Sequence, residues 1–403
     1  MHAETMVARI VAPCLECLHK KQAASLQQAV IGAIDGGVVS LTAIACGIKR
    51  PTALRYRVKS VDRLIGNIKV HAQRTEIYCA LATSWLERLR EVLLVVDWSD
   101  LTWDQDMHFL RASVVVEGRT VTLYEEVHPQ KKYGNPRVHE RFLATVARIL
   151  PAGCKPIVMT DAGFHAAWFK QVAARGWAFV GRIRGRDMAQ LEGNDQWLSP
   201  KELFTQASSV PRDLGHGMFV RSNPIRVRYV LFKGEDKGRH SKNMYGKRRA
   251  CRSSKEAARA ANEPLLLAVS PKLDERSAQR VVQMYARRMQ IEESFRDTKN
   301  LRFGQGLETT RSRGVTRLEM LLLIAHLAAF AARLLGEHAK LLQMERRFMS
   351  TGRTNRPEIS VLTLARRVLA SIDSFLARKL RAIMRRYVAS PLTEQAKRAC
   401  SND

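Results

Sequence analysis

Residues Glu91 to Asp100 have the sequence E-V-L-L-V-V-D-W-S-D, an aliphatic run that leads into Asp97 and is too short to span a bilayer. Such a run predicts a buried central strand. A second β-prone run, K-P-I-V-M-T-D over residues 155–161, delivers Asp161 just before the glycine turn at Gly163. Because open α/β sheets place their ligands at strand ends, we expect the two aspartates to converge.

A third carboxylate lies in a helical pattern over residues 285–299, Y-A-R-R-M-Q-I-E-E-S-F-R-D-T-K, which we interpret as one helix. Four polar residues have spacings that place them on one face: Tyr285, Arg288, Glu292 and Lys299. Three apolar residues form the adjacent stripe that would pack on a core: Met284, Ile291 and Phe295. The phenol and the cations would then flank the carboxylate at the rim of a cleft. The alternative is a solvated charged face with no function.

Together, Asp97, Asp161 and Glu292 would supply hard carboxylate oxygens suited to Mg²⁺, with Mn²⁺ as a substitute. Two such ions can activate a water or a 3′-hydroxyl and stabilise the leaving oxygen of a phosphodiester. Asp100 and Asp104 compete for the first position. They rank below Asp97 because they follow the predicted strand in a more polar segment.

These motifs resemble those of the cut-and-paste transposases of the insertion sequence 4 family, the group that includes the transposon ten transposase. That family carries an Asp, Asp, Glu triad on a ribonuclease H-like fold, with the glutamate in the pattern Tyr-(2)-Arg-(3)-Glu-(6)-Lys, which fits this chain without a gap. The strings V-D-W-S-D, L-R-A-S-V, V-T-L-Y-E, D-A-G-F and R-M-Q-I-E-E-S-F-R-D are also similar. The resemblance extends from about residue 50 to residue 335.

The resemblance implies a DNA transposase that pairs two terminal inverted repeats as a homodimer and excises the element through a hairpin intermediate. It assigns the metal ions to the three carboxylates, and phosphate contacts near the cleaved end to Tyr285, Arg288 and Lys299. Arg182 and Arg184, near the end of a predicted strand, are further candidates for phosphate contacts. A nuclease that cuts without joining, and a DNA-binding regulator without catalysis, remain alternatives.

Composition agrees with a nucleic-acid partner. The chain has 403 residues, with 67 Lys+Arg against 38 Asp+Glu, and its formal charge of +29 favours double-stranded DNA over an acidic small substrate. A hydrophobic content of 46% excludes wholesale disorder. The seven cysteines are expected to be reduced thiols, and Cys14 and Cys17 have no second pair that would complete a zinc site.

We predict an α/β fold, in which a ribonuclease H-like core is interrupted by a β-rich insertion and flanked by helical regions. The predicted domains are 1–90 (helical, binding DNA ends), 91–186 (core), 187–272 (insertion with a basic loop), 273–340 (core with the glutamate helix) and 341–403 (helical, dimerisation). The most apolar run, Met320 to Gly336, is shorter than a membrane span and predicts a buried helix. With no signal peptide visible, we expect a cytoplasmic, nucleoid-associated bacterial protein that does not contact membranes.

The N-terminal region contains a pattern typical of a helix-turn-helix, with helices predicted over residues 40–47 and 52–65. Four apolar residues of the second helix should face the core: Leu54, Val58, Val61 and Ile65. Three basic residues share a different face, available to DNA: Arg55, Lys59 and Arg63. The alternative is a basic helix that is merely solvated.

Between the second aspartate and the glutamate, further strands are predicted over residues 177–184, 224–232 and 265–269. The basic segment 234–261 predicts a loop or arm that contacts DNA, and the chain from Pro357 onward predicts two basic amphipathic helices.

One feature departs from the family pattern. Relatives have a tryptophan after the Glu-Pro dipeptide of the last insertion strand, which is thought to stack on a flipped base, whereas this chain has Leu265 after Glu263 and Pro264. Met289, next to Arg288, is the candidate for a substitute wedge. The alternative is that Met289 only packs against the insertion.

Overall fold

The computed structural model describes residues 2–185, 187–235, 251–252, 254, 256, 262–302, 304–348, 359–371, 380, 382 and 390–401. The strands in these residues are β1 (Glu91–Asp100), β2 (Met107–Val115), β3 (Thr120–Pro129), β4 (Lys155–Thr160), β5 (Ala178–Ile183), β6 (Ala189–Leu191), β7 (Trp197–Leu198), β8 (Arg212–Phe219), β9 (Ile225–Phe232) and β10 (Leu265–Val269). They form one mixed sheet in the order β3-β2-β1-β4-β5-β10-β9-β8-β6-β7.

Strand β1 is buried inside the sheet, as its aliphatic run predicts. It pairs antiparallel with β2 and parallel with β4, and the side chains from Val92 to Val96 are fully buried. A strand covered on both faces needs apolar residues at every position, which explains the absence of alternation. The strand continues to Asp100, so Asp97 lies three residues before its end and Asp100 belongs to the strand, contrary to expectation.

The later strands also match their predictions closely, since the segments 177–184, 224–232 and 265–269 become β5, β9 and β10. Strand β10 pairs antiparallel with both β5 and β9. Strands β6 to β10 therefore extend the sheet that carries the two aspartates. Most of the basic segment 234–261 lies outside the described residues.

Six helices precede the sheet: α1 (His2–Val11), α2 (Lys20–Gly36), α3 (Leu41–Gly47), α4 (Leu54–Ile65), α5 (Ile68–Ala72) and α6 (Arg74–Leu86). Helix α3 is capped by Ser40, whose Oγ accepts from the backbone N–H of Ala43 at 3.3 Å. It crosses α2 so closely that a Cβ on Gly47 would lie 2.2 Å from the carbonyl oxygen of Gly32. Only glycine permits this approach, which fixes α3 and α4 against α2.

Within the described residues the later helices are α7 (Pro136–Ile149), α8 (Ala166–Ala174), α9 (Pro200–Phe204), α10 (Ala278–Ala286), α11 (Gln290–Lys299), α12 (Val315–Leu341), α13 (Val361–Ser371) and α14 (Ser390–Cys400). Helices α13 and α14 lie where two C-terminal helices were predicted. Most residues between them are outside the described part of the chain.

Helix α12 contains the apolar run 320–336 but is longer than that run, with 27 residues. It is long and apolar enough to cross a membrane, so the expectation that it falls short of a span was wrong. However, 94% of its most apolar window is buried inside the protein. The helix thus packs as part of the core, as predicted.

Six of the cysteines are free thiols: Cys14, Cys17, Cys46, Cys79, Cys154 and Cys400. Among the described residues, no group of three His, Cys, Asp or Glu side chains is arranged to hold a metal ion.

Candidate active site

The pairing of β1 with β4 brings the two aspartates together. Val95 is in register with Met159 at the end of the recorded pairing, and Asp97 and Asp161 each follow two residues later in the sequence. Asp97 is only 7% exposed, and its Oδ1 accepts from the backbone N–H of Trp98 at 2.8 Å. The sheet itself therefore fixes the spacing of these carboxylates.

The electrostatics show that the other two candidate carboxylates act on Asp97. Burial is the main cause that raises the pKa of Asp97 to about 8; the negative charges of Asp161 and Glu292 contribute to this rise, while Arg288 opposes it. Hard carboxylate oxygens that repel one another are the donor set that a divalent cation stabilises. The chemistry of this donor set fits Mg²⁺.

Arg288 lies between two of these carboxylates. Its Nη1 is 3.0 Å from Oδ2 of Asp97 and 3.8 Å from Oε1 of Glu292, and its side chain is 11% exposed. Burial disfavours its charge, but Tyr285 and the carboxylates outweigh this effect and raise the pKa of Arg288. The guanidinium thus serves as the counterion of the carboxylates. In this arrangement the three carboxylates are not grouped closely enough to hold one metal ion together.

The segment that carries Glu292 is not the single helix that its periodicity predicts. Helix α10 ends at Ala286, a 3₁₀ turn covers Arg287–Met289, and α11 begins at Gln290. A 3₁₀ turn has 3.0 residues per turn, so it changes the spacing only slightly while changing the direction of the side chains.

Tyr285 is buried beneath the site, whereas the helical spacing predicts it at the rim. Its side chain is 6% exposed, and its hydroxyl donates to the carbonyl oxygen of Thr160 at 3.0 Å. Burial raises the pKa of Tyr285 to about 12. The phenol anchors α10 to the end of β4, directly before Asp161.

Helix α11 is fixed on its other sides as well. Lys299 extends from its last turn and donates from Nζ to Oγ of Ser99 at 2.9 Å. The apolar stripe of Met284, Ile291 and Phe295 is buried, as predicted. Both ends of the segment that carries Glu292 are thus attached to the sheet, through Thr160 at the end of β4 and Ser99 on β1.

A buried ion pair that the motif analysis missed supports α11 from behind. Arg111 on β2 donates from Nε to Oε2 of Glu125 on β3 at 2.7 Å, and from Nη1 to Oγ1 of Thr298 on α11 at 3.0 Å. Arg111 is 2% exposed and Glu125 is fully buried. The signal in the sequence was a single arginine within the apolar run M-H-F-L-R-A-S-V-V.

The other basic candidates near the site differ in their partners. Arg182 lies within electrostatic reach of Tyr285 and Arg288, and its buried Nε has no hydrogen-bond partner within the described structure. Burial and the neighbouring cations lower the pKa of Arg182. Arg184 instead donates from Nε to Oε2 of Glu263 at 2.7 Å. Met289 is 47% exposed beside Arg288.

The basic face of the N-terminal region is accessible. Arg55, Lys59 and Arg63 are all exposed on α4. Val61 and Ile65 are buried and Val58 packs partly against the core, as predicted, whereas Leu54 is 40% exposed because α4 begins there. The helix thus has one face on the core and a basic face in solvent.

A comparison with protein families adds an independent finding. Residues 88–331, more than half of the chain, match the family described as the transposase DDE domain. Such a domain implies a ribonuclease H-like fold, and its members generally use divalent metal ions. Among curated proteins, none matches the chain significantly.

Proposed function

Because the chain belongs to the transposase DDE domain family, we propose that it is a cut-and-paste DNA transposase close to the insertion sequence 4 group. It binds terminal inverted repeats, pairs two ends as a homodimer, and excises and reinserts the element. The observation that best supports this proposal is the parallel pairing of β1 with β4, together with Arg288, whose Nη1 lies 3.0 Å from Asp97 and 3.8 Å from Glu292.

In this proposal Asp97, Asp161 and Glu292 hold two Mg²⁺ ions, for which Mn²⁺ can substitute. When bound there, such ions would supply Lewis-acid chemistry, activating the attacking water or 3′-hydroxyl and stabilising the leaving oxygen. For the carboxylates to close around the ions, Arg288 turns from Asp97 toward the DNA. Its planar guanidinium then offers a bidentate fork to a phosphate near the cleaved end.

The neighbouring basic residues position the DNA during the steps. Lys299 is a point charge at the end of β1, and Arg182 offers a buried N–H that has no partner within the described structure. First-strand nicking releases a 3′-hydroxyl, which attacks the opposite strand to form a hairpin. Tyr285 supports this arrangement through Thr160, and Arg184, whose Nε donates to Glu263, is a further candidate for phosphate contacts.

A plasmid excision assay tests the function against its alternatives. A donor plasmid carries the element together with the inverted repeats that flank its coding region. The plasmid is incubated with the purified protein and Mg²⁺. A transposase releases the element with hairpin ends and joins it to target DNA. A nuclease yields cut ends without joining, and a regulator binds the ends without cutting.

The domain assignments belong to the same proposal. Residues 1–90 bind the DNA ends, 91–186 and 273–340 form the catalytic core, 187–272 form an insertion, and 341–403 mediate dimerisation. We place the protein in the bacterial cytoplasm, associated with the nucleoid.

Replacing Arg55, Lys59 and Arg63 together by Ala should weaken end binding and lower its salt dependence. Each lost phosphate contact reduces the slope of log K against log salt by about one unit. Fluorescence anisotropy over a salt titration measures this slope. The control removes three exposed cations elsewhere, Lys201, Arg221 and Lys272, and so changes the net charge equally. An unchanged slope, or an equal fall in the control, would mean that the α4 stripe is only solvated.

Met289→Ala should leave first-strand nicking intact but slow hairpin formation. Making a hairpin extrudes a base at a cost of a few kcal/mol, which the exposed thioether beside Arg288 would offset. Time courses on denaturing gels should show nicked ends accumulating, and an abasic nucleotide at the flipped position should restore the rate. The control is Leu301→Ala, at a comparably exposed residue just after α11. Equal slowing of both steps, without rescue, would exclude the wedge.

A further inference from the structure

The β1–β2 hairpin presents a tryptophan to solvent on a hydrogen-bonded loop. Leu101 is buried and its N–H donates to the carbonyl oxygen of Met107 at 2.8 Å, while Oγ1 of Thr102 accepts from the N–H of Met107 at 3.3 Å. At the tip, Trp103 is 87% exposed, the highest exposure of any large apolar side chain in the described residues. The loop holds this ring outward and does not fold it back.

The loop also contains one residue in an energetically unfavourable backbone conformation. Gln105 has φ = 60°, in the left-handed region that L-residues other than glycine rarely adopt. Its side chain is fixed by a hydrogen bond from Nε2 to Oδ2 of Asp100 at 3.0 Å. Strain and an exposed indole are both unfavourable for the protein alone, which points to a binding role.

A second segment joins this loop beside the carboxylates. The N–H of Gln130 donates to the carbonyl oxygen of Asp106 at 2.9 Å, which ties the hairpin to the segment that leads to Tyr133. Tyr133 is 51% exposed, and its ring lies 5.1 Å from that of Trp98. Because Trp98 directly follows Asp97, this ring contact places the phenol near the candidate carboxylates, in agreement with burial and the charge of Asp161, which raise the pKa of Tyr133.

We propose that Trp103 and Tyr133, with the exposed Lys131 and Lys132, form a stacking platform for unpaired bases of the DNA strand. We call these four residues the aromatic rim. Aromatic side chains beside cations bind single strands with little sequence preference, because every base has a π-face. The position of the bound bases next to the scissile phosphate rests on the proposed transposase function.

The charges around the rim determine how a strand lies on it. Asp104 and Asp106 flank the indole and repel phosphates, so a base approaches Trp103 by its face. Lys131 and Lys132 lie on the other segment, where they attract the backbone. This division fits a strand with splayed bases better than it fits a duplex, whose bases are already stacked.

The test compares single-stranded and duplex binding by the full-length protein without divalent metal. The probes are a labelled oligothymidylate of about 20 nucleotides and a duplex of equal length. We expect Trp103→Ala to weaken single-strand binding about tenfold and duplex binding less than about twofold, since one stacked base contributes this much. Trp103→Phe should retain most of the affinity, and Tyr133→Ala should resemble Trp103→Ala. Leu341→Ala, at another exposed apolar residue, is the control.

The following outcomes would contradict the proposed role of the aromatic rim. Unchanged single-strand binding by Trp103→Ala would exclude stacking, and an equal loss on both probes would indicate a general defect. A changed oligomeric mass with unchanged DNA binding would identify a protein interface instead. A cleavage assay separates the two proposals. If the protein cuts transposon ends but Trp103→Ala loses no single-strand binding, only the aromatic rim is refuted. If the protein never cuts but Trp103→Ala shows the tenfold loss of single-strand binding, only the transposase function is refuted.

Discussion

Asp97→Asn, Asp161→Asn and Glu292→Gln should each abolish strand cleavage while leaving end binding largely intact. The carboxylates bind metal and not the recognition sequence, so the loss of one disables every step that shares the two ions. Loss of a residue that merely supports a metal ligand already costs 10- to 100-fold, so we expect a loss of more than about a hundredfold for a direct ligand.

Gel-shift and cleavage assays on labelled ends in Mg²⁺ measure the two activities separately. Asp100→Asn and Asp104→Asn are the matched controls, because these residues are the nearest competitors of Asp97 in the sequence and both should retain cleavage. Circular dichroism checks that each variant is folded, since Asp97→Asn also removes the ion pair with Arg288. Ordinary nicking by any of the three triad variants would refute the assignment.

Arg111→Met should destabilise the protein by about 3–5 kcal/mol, because it leaves the fully buried Glu125 without its cation. It should also slow cleavage, since Arg111 holds Thr298 and thereby the helix that carries Glu292. Thermal unfolding followed by circular dichroism gives the change in stability, and the nicking rate gives the effect on the site.

A second substitution separates charge burial from packing. Arg111→Met combined with Glu125→Leu should recover most of the lost stability, because an apolar pair of similar volume replaces a buried ion pair at little cost. Arg226→Met, which breaks the exposed pair with Glu192, should cost less than about 1 kcal/mol. If Arg111→Met costs no more than Arg226→Met, the buried pair does not support the site.

Local patterns predicted much of the fold. Strands β1, β4 and β10 follow from short aliphatic runs, because a strand buried on both faces excludes polar residues along its length. The family was also predicted from motifs, and the match over residues 88–331 confirms a transposase DDE domain. Here the information lies within ten or so neighbouring residues, which is the range that periodicity detects.

Predictions were wrong where two different backbone conformations give nearly the same spacing of residues. The expected single helix is interrupted at residues 287–289 because periods of 3.0 and 3.6 residues differ little over one turn. Tyr285 was expected at the rim for the same reason and is buried. Leu54 fits the apolar period but lies at the first turn of α4, where the core no longer covers it.

The sequence by itself determined the strands that carry Asp97 and Asp161, the apolar stripe beneath Glu292 and the family of the chain. Only the tertiary structure decided that Arg288 pairs with Asp97 across 191 positions and that Arg111 supports Thr298 across 187. It also decided that Trp103 points into solvent. Strand register and helix docking set these contacts, and both depend on packing between distant segments, which no local period encodes.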